Sequence, residues 1–133
     1  MQTLVDASVW IDYFTGAATP ETDYLDSLLG KSPLAVADLT VAEVLHGIPD
    51  ERHRRLAEEA LLRFWTVEVR GLRLSLRSAV NYHTLRNRGL PVRTTECLLA
   101  TYCLENNLAL LHSSPGFEPF ERHLGLKVSR PVK

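Results

Sequence analysis

The sequence predicts an α/β fold: a central, mainly parallel sheet of four to five strands with helices on both faces. Two observations carry this. Short apolar runs of three to five residues alternate with longer segments of helical periodicity. The runs themselves, "TLV", "PLAVA" and "LALL", are apolar throughout rather than alternating, as strands covered on both sides must be. The 133 residues are expected to form one domain spanning 1–133, and 45% hydrophobic residues suffice for its core.

Taken in order, "TLVD" (3–6) reads as a buried strand and "SVWIDYF" (8–14) as a helical turn or two. "PETDYLDSLLG" (20–30) is an amphipathic helix, with Pro20 at its start, Leu25, Leu28 and Leu29 as its stripe and Gly30 as its stop. "PLAVA" (33–37) is the second strand. "TVAEVLHG" (40–47) follows as a helix, with Thr40 as N-cap and Gly47 ending it. A longer helix covers "DERHRRLAEEALLRF" (50–64), and "WTVEV" (65–69) alternates like a strand. Helices are expected over 72–89, closed by Gly89 and Pro91, and over 94–107, capped by threonines. "LALLH" (108–112) is a buried strand, "PGFEPFERHLG" (115–125) a short helix and "LKVS" (126–129) a last strand.

Composition excludes several classes. No apolar run approaches the roughly 18 residues that span a bilayer, and no basic-then-apolar leader opens the chain. Cys97 and Cys103 lie six apart in one predicted helix, on different faces, so buried thiols in a reducing cytoplasm are expected rather than a disulfide. A net charge of −1 is not that of a generally basic nucleic-acid binder, yet the charge is unevenly distributed. Residues 1–50 hold eight acids against Lys31 alone, and residues 51–133 hold eight acids and fourteen bases. Folded together, the two parts would set a cation site beside an anion-attracting surface, unless both are ordinary solvated faces.

Asp6 poses the functional question. A carboxylate at the tip of a buried strand loses solvation and needs a return, either by capping the next helix or by holding a cation. Ligands of such sheets sit beyond the carboxyl ends of the strands. Glu43, in the helix after strand two, and Glu96, in the first turn of the helix before the "LALLH" strand, are expected at that same end, with His112 and Ser113 directly after that strand. Glu96 there would also complement the helix dipole. Converging carboxylates repel unless a cation neutralises them, and an oxygen-only site suits Mg²⁺ or Mn²⁺. Such an ion polarises a phosphate and activates water, the minimal equipment for phosphodiester hydrolysis.

The blocks "VDASVWIDYF", "ADLTVAEVLHG", "ECLLATYCLENNLALLH" and "FEPFERHLGLKV" together resemble the PIN-domain ribonucleases, specifically VapC toxins of toxin–antitoxin pairs, over nearly the whole chain. The resemblance implies a PIN-like fold and assigns the catalytic and metal-binding roles to Asp6, Glu43 and Glu96, with Ser8 as a nearby hydroxyl. It further implies a Mg²⁺- or Mn²⁺-dependent endoribonuclease acting on structured RNA of the tRNA or rRNA class. The implied partners are a second copy of the chain and a cognate VapB-like antitoxin, with operator DNA reached only through the antitoxin and no membrane. Two departures stand out. Glu96 replaces the usual aspartate, and "HSSPGF" puts Ser114 and Gly116 where the family carries acids, which Glu118 and Glu121 do not replace. Ser114 then supplies a neutral oxygen or holds a water.

Arg86, Arg88 and Arg93 are the candidate RNA-phosphate contacts, the alternative being a solvated helix end. Trp10, Tyr13, Phe14 and Trp65 are candidates for either an interface or the core. Because the fourth acid is absent, a module that binds antitoxin or RNA without efficient cleavage is the alternative function. A phosphoryl-accepting Asp6 of the dehalogenase or receiver type is a further rival. It lacks the expected second aspartate, where Ser8 stands, and the acidic pair upstream.

Overall fold

The computed structural model describes residues 2–131. Its elements run β1 (Thr3–Val5), α1 (Ala7–Thr15), α2 (Pro20–Leu28), β2 (Leu34–Ala37), α3 (Asp38–Gly47), α4 (Glu51–Leu61), β3 (Trp65–Val67), α5 (Leu72–Arg86), α6 (Thr94–Asn106), β4 (Ala109–Leu111), a 3₁₀ turn (Pro115–Phe117) and α7 (Glu118–Leu124). The four strands form one parallel sheet in the order β3-β2-β1-β4, with Thr3 opposite both Leu34 and Ala109, and Ala35 opposite Trp65. Parallel neighbours need long crossovers, and each of the three connections supplies a pair of helices. The chain steps outward from β1 to β3 and then returns to β1's other side. The order therefore reverses between β1 and β4, where α/β sheets open a crevice. Asp6 stands at this point, its amide donating to the Leu111 carbonyl at 2.9 Å.

Strand periodicity divides the core in two. Val5, Leu34, Val36 and Leu111 face Val9, Trp10, Leu25, Val44 and Leu61. Leu4, Ala35, Ala37 and Leu110 face Leu74, Leu85, Leu99, Cys103 and Phe120 from α5, α6 and α7. Around β1, β2 and β4 both sides of the sheet are thus dry, which explains why those strands read as short unbroken runs, while edge strand β3 is exposed and alternates. Cys97 and Cys103 are buried free thiols, as expected. Trp10 is core, whereas Trp65 on edge strand β3 is 72% exposed. No helix among the described residues is long and apolar enough to cross a membrane.

Helix starts differ from expectation where caps were inferred from threonines. Helix α3 begins at Asp38, two residues before Thr40, and Ala37 at its N-cap supplies no side-chain bond. Asp38 Oδ1 instead accepts the amides of Leu39 (2.8 Å) and Val69 (2.9 Å), tying the helix start to the segment after β3. Thr40 is a fully buried helical residue whose hydroxyl has no partner among the described residues. Arg93, not a threonine, occupies the N-cap of α6, again without a side-chain bond. The expected last strand is a single bridge: Val128 pairs with Leu110, whose amide donates to Lys127 and whose carbonyl accepts from Ser129. Pro131 has no amide with which to extend that ladder.

Candidate functional site

Asp6 is 7% exposed and caps α1. Its Oδ2 accepts both the Ser8 amide (3.1 Å) and the Ser8 hydroxyl (2.6 Å), while Oδ1 accepts no hydrogen bond among the described residues. The Ser8 hydroxyl in turn accepts the Ser113 amide at 3.2 Å, across the gap between β1 and the segment leaving β4. Capping and proximity to the crevice are therefore properties of the same carboxylate, with one oxygen given to the fold.

Glu43 and Glu96 reach this end from α3 and α6. Burial pushes the Glu43 carboxyl above its ordinary value, and the charges of Asp6 and then Glu96 push it further the same way. A like charge raises a carboxyl only when it is close and poorly screened, so the three acids share one electrostatic neighbourhood. They do not close up. Among the described residues no three His, Cys, Asp or Glu side chains stand near enough together to hold a metal ion directly. Two of the three are engaged by local hydroxyls: Asp6 Oδ2 accepts from Ser8, and Glu96 Oε2 accepts the Ser114 hydroxyl at 2.7 Å. In chemistry the donor set fits a hard divalent cation: oxygens only, three carboxylates, and a charge repulsion that a cation would relieve.

A match to the family model described as PIN domain spans residues 3–118, nearly the whole chain. The chain belongs to the PIN-domain family. Solved structures agree in fold. Chains of similar structure come from Rickettsia felis VapBC2 bound to a DNA fragment from its promoter (TM-score 0.77, 14% identity, 97% of this chain and 98% of that one), VapBC-1 of nontypeable Haemophilus influenzae (0.73, 20%, all of both chains) and VapBC-5 of Mycobacterium tuberculosis (0.71, 17%, 97% and 98%). Among curated proteins no match is found.

In this PIN-domain chain the segment leaving β4 carries a chain of side-chain contacts. His112 is 8% exposed at its side chain; its Nδ1 accepts the Ser114 amide (3.2 Å), so its proton sits on Nε2 and is donated to Glu121 Oε2 (3.2 Å). Arg130 holds the other oxygen of Glu121. Residues 112–115 with Glu118, Glu121, Arg122 and Arg130 line an open cleft of about 620 Å³. His112 is legible in the sequence by its place after the strand, but its contacts are not, because Glu121 and Arg130 lie nine and eighteen residues further on. Asp38 was also missed as a structural acid. Its signal was available, since it follows β2 directly, as Asp6 follows β1.

The arginines are exposed, as a phosphate-contacting group requires. Arg88 lies 2.7 Å from His123 Nδ1, which links the end of α5 to α7. Arg86 and Arg93 form no ion pair among the described residues, and Arg93 immediately precedes the turn that carries Glu96. Tyr13 and Phe14 are partly buried against Trp10 in one aromatic cluster.

Proposed function

We propose that this protein is a metal-dependent endoribonuclease toxin of a VapBC-type pair. The supporting observation is the place of Asp6, with one carboxylate oxygen accepting no hydrogen bond among the described residues, at the point where strand order reverses in a chain of the PIN-domain family. Asp6, Glu43 and Glu96 would hold Mg²⁺ or Mn²⁺, which when bound lowers the pKa of a water and neutralises charge on the phosphate. Asp6 offers its free Oδ1 while Ser8 fixes the other oxygen. Ser114 orients Glu96. Arg86, Arg88 and Arg93 contact the phosphates of a structured RNA, of the tRNA or rRNA class, whose single-stranded loops are the point of attack. In this reading the protein is a cytoplasmic homodimer, neutralised by a cognate antitoxin through which alone it reaches operator DNA.

The second reading is a PIN-domain module that binds antitoxin or RNA without efficient cutting. It is favoured by Ser114 and Gly116, which bring no fourth carboxylate, and by the absence of a tight carboxylate cluster among the described residues. One experiment separates the two. Purified, antitoxin-free protein is incubated with total RNA in Mg²⁺ or Mn²⁺, with EDTA and Asp6→Asn as controls. Cleavage abolished by both controls is expected; no cleavage by the unmodified chain favours the module, and cleavage untouched by Asp6→Asn excludes the site.

A further inference from the structure

Gly116 meets no backbone demand that only glycine satisfies. Five glycines, Gly16, Gly30, Gly71, Gly89 and Gly125, have positive φ, and Gly116 is not among them. What distinguishes it is space. A Cβ built on Gly116 would lie 2.1 Å from Glu96 Oε1 and 2.6 Å from both Oε2 and Cδ, inside any permissible contact. The Glu96 carboxylate therefore occupies the volume that a side chain at 116 would need.

The same carboxylate is held from the other side. The Ser114 hydroxyl donates to Oε2 at 2.7 Å, and that hydroxyl oxygen accepts the Gly116 amide at 3.3 Å, which orients its proton towards Glu96. Ser114 is anchored in turn through its amide on His112 Nδ1. One loop, 112–116, thus supplies both a hydrogen bond and a gap, and both are shaped to the long side chain of a glutamate. An aspartate at 96 would fall short of this seat.

We propose that Gly116 and Ser114 are positioning residues for Glu96: the missing side chain at 116 and the hydroxyl at 114 form a cradle that stations its carboxylate beside Asp6 and Glu43. The consequence for cation binding rests on the function proposed above; the cradle itself does not. Outer contacts of this kind commonly change metal affinity by about 10–100-fold when removed. Gly116→Ala is the decisive variant, because its backbone is compatible with alanine and the atoms it displaces are the far end of a flexible side chain. The fold is kept and the carboxylate is moved.

The test measures Mn²⁺ affinity of the full chain by calorimetry. Gly116→Ala and Ser114→Ala should each weaken binding by about tenfold, Gly116→Ala at unchanged melting temperature and Ser114→Ala with the modest loss of stability expected for its cap, and Ser114→Thr, which keeps a hydroxyl, should recover most of both. In an Glu96→Asp background, Gly116→Ala should add less than about a twofold change, since the shorter side chain no longer fills the gap. Equal losses in both backgrounds, or none in the wild type, overturn the proposal. Metal-free crystal structures of wild type and Gly116→Ala give a second reading. The carboxylate should leave Ser114 in the variant, and a carboxylate still bonded to Ser114 there refutes the cradle. A wild-type chain that binds no Mn²⁺ but shows this displacement defeats the nuclease proposal alone.

Discussion

Ser8 and Asp6 are joined twice through a single oxygen: amide and hydroxyl of Ser8 both donate to Asp6 Oδ2, at 3.1 and 2.6 Å. The arrangement divides one carboxylate. Oδ2 starts helix α1, and Oδ1 accepts no hydrogen bond among the described residues, which leaves it for the cation of the proposed site. Because Ser8 also accepts the Ser113 amide, it couples the exit of β1 to the exit of β4.

Asparagine caps helices about as well as aspartate, so Asp6→Asn is expected to remove the charge at a stability cost below about 0.5 kcal/mol. Ser8→Ala removes the hydroxyl bond to Asp6 and leaves the Ser113 amide without its acceptor, at a cost of about 1 kcal/mol. Urea denaturation of the two variants checks the order. A larger loss in Asp6→Asn than in Ser8→Ala would show that the charge itself, rather than the cap, supports the fold.

Glu43 predicts a pH dependence. Its folded pKa is raised, by burial first and by Asp6 and Glu96 next, so over the window above its ordinary 4.5 the native state holds a proton that the unfolded chain has released. Stability attributable to this group therefore falls as pH rises through the window, and the penalty is complete above it. Glu43→Gln should be more stable than the wild type at pH 7 in metal-free buffer, by less than about 1 kcal/mol because the group is only partly buried and solvent screens it. The difference should shrink as pH falls towards 4.5. Mn²⁺ should reverse the order, stabilising the wild type and not the variant. Thermal denaturation across pH, with and without Mn²⁺, measures all three.

How much of this was legible beforehand depends on the range of each interaction. The sheet was readable because burial on both faces leaves unbroken apolar runs, as in Leu34–Ala37 and Ala109–Leu111. Asp6 was readable because it follows β1 directly, and topology then fixes which end it faces. Helix starts were misjudged where the cap is not local. Asp38 bonds Val69, thirty-one residues away, and no pattern around Thr40 reveals that. The loop after β4 was legible only as a departure from the family's acids. That Gly116 leaves a space which Glu96 fills is a contact between two elements, and neither residue signals it alone.

Both cysteines should be inert in the folded protein. Burial, and then the charge of Asp6, push the Cys103 thiol up to about 12, and Cys97 is equally enclosed. A thiol at that value carries almost no thiolate at neutral pH, and its access is closed as well. Ellman's reagent should find no reactive thiol in native protein and two in guanidinium chloride. Rapid labelling of the native chain would mean that α6 opens locally.

The arginines give the most direct test of the proposed RNA surface. Arg86 and Arg93 are exposed and unpaired among the described residues, whereas the Arg88 guanidinium is already engaged by His123. Phosphate contacts release counterions, and each one lost from a single-stranded site should reduce the slope of log K against log salt by about 0.7. Arg86→Glu and Arg93→Glu are therefore expected to weaken RNA binding and flatten its salt dependence, with Arg88→Glu acting less strongly. Fluorescence anisotropy over a KCl series, in an Asp6→Asn background with EDTA to prevent cutting, reads the slopes directly. Unchanged slopes for Arg86→Glu and Arg93→Glu would mean that these side chains serve only as solvated charges at helix ends, and that the RNA backbone follows another face.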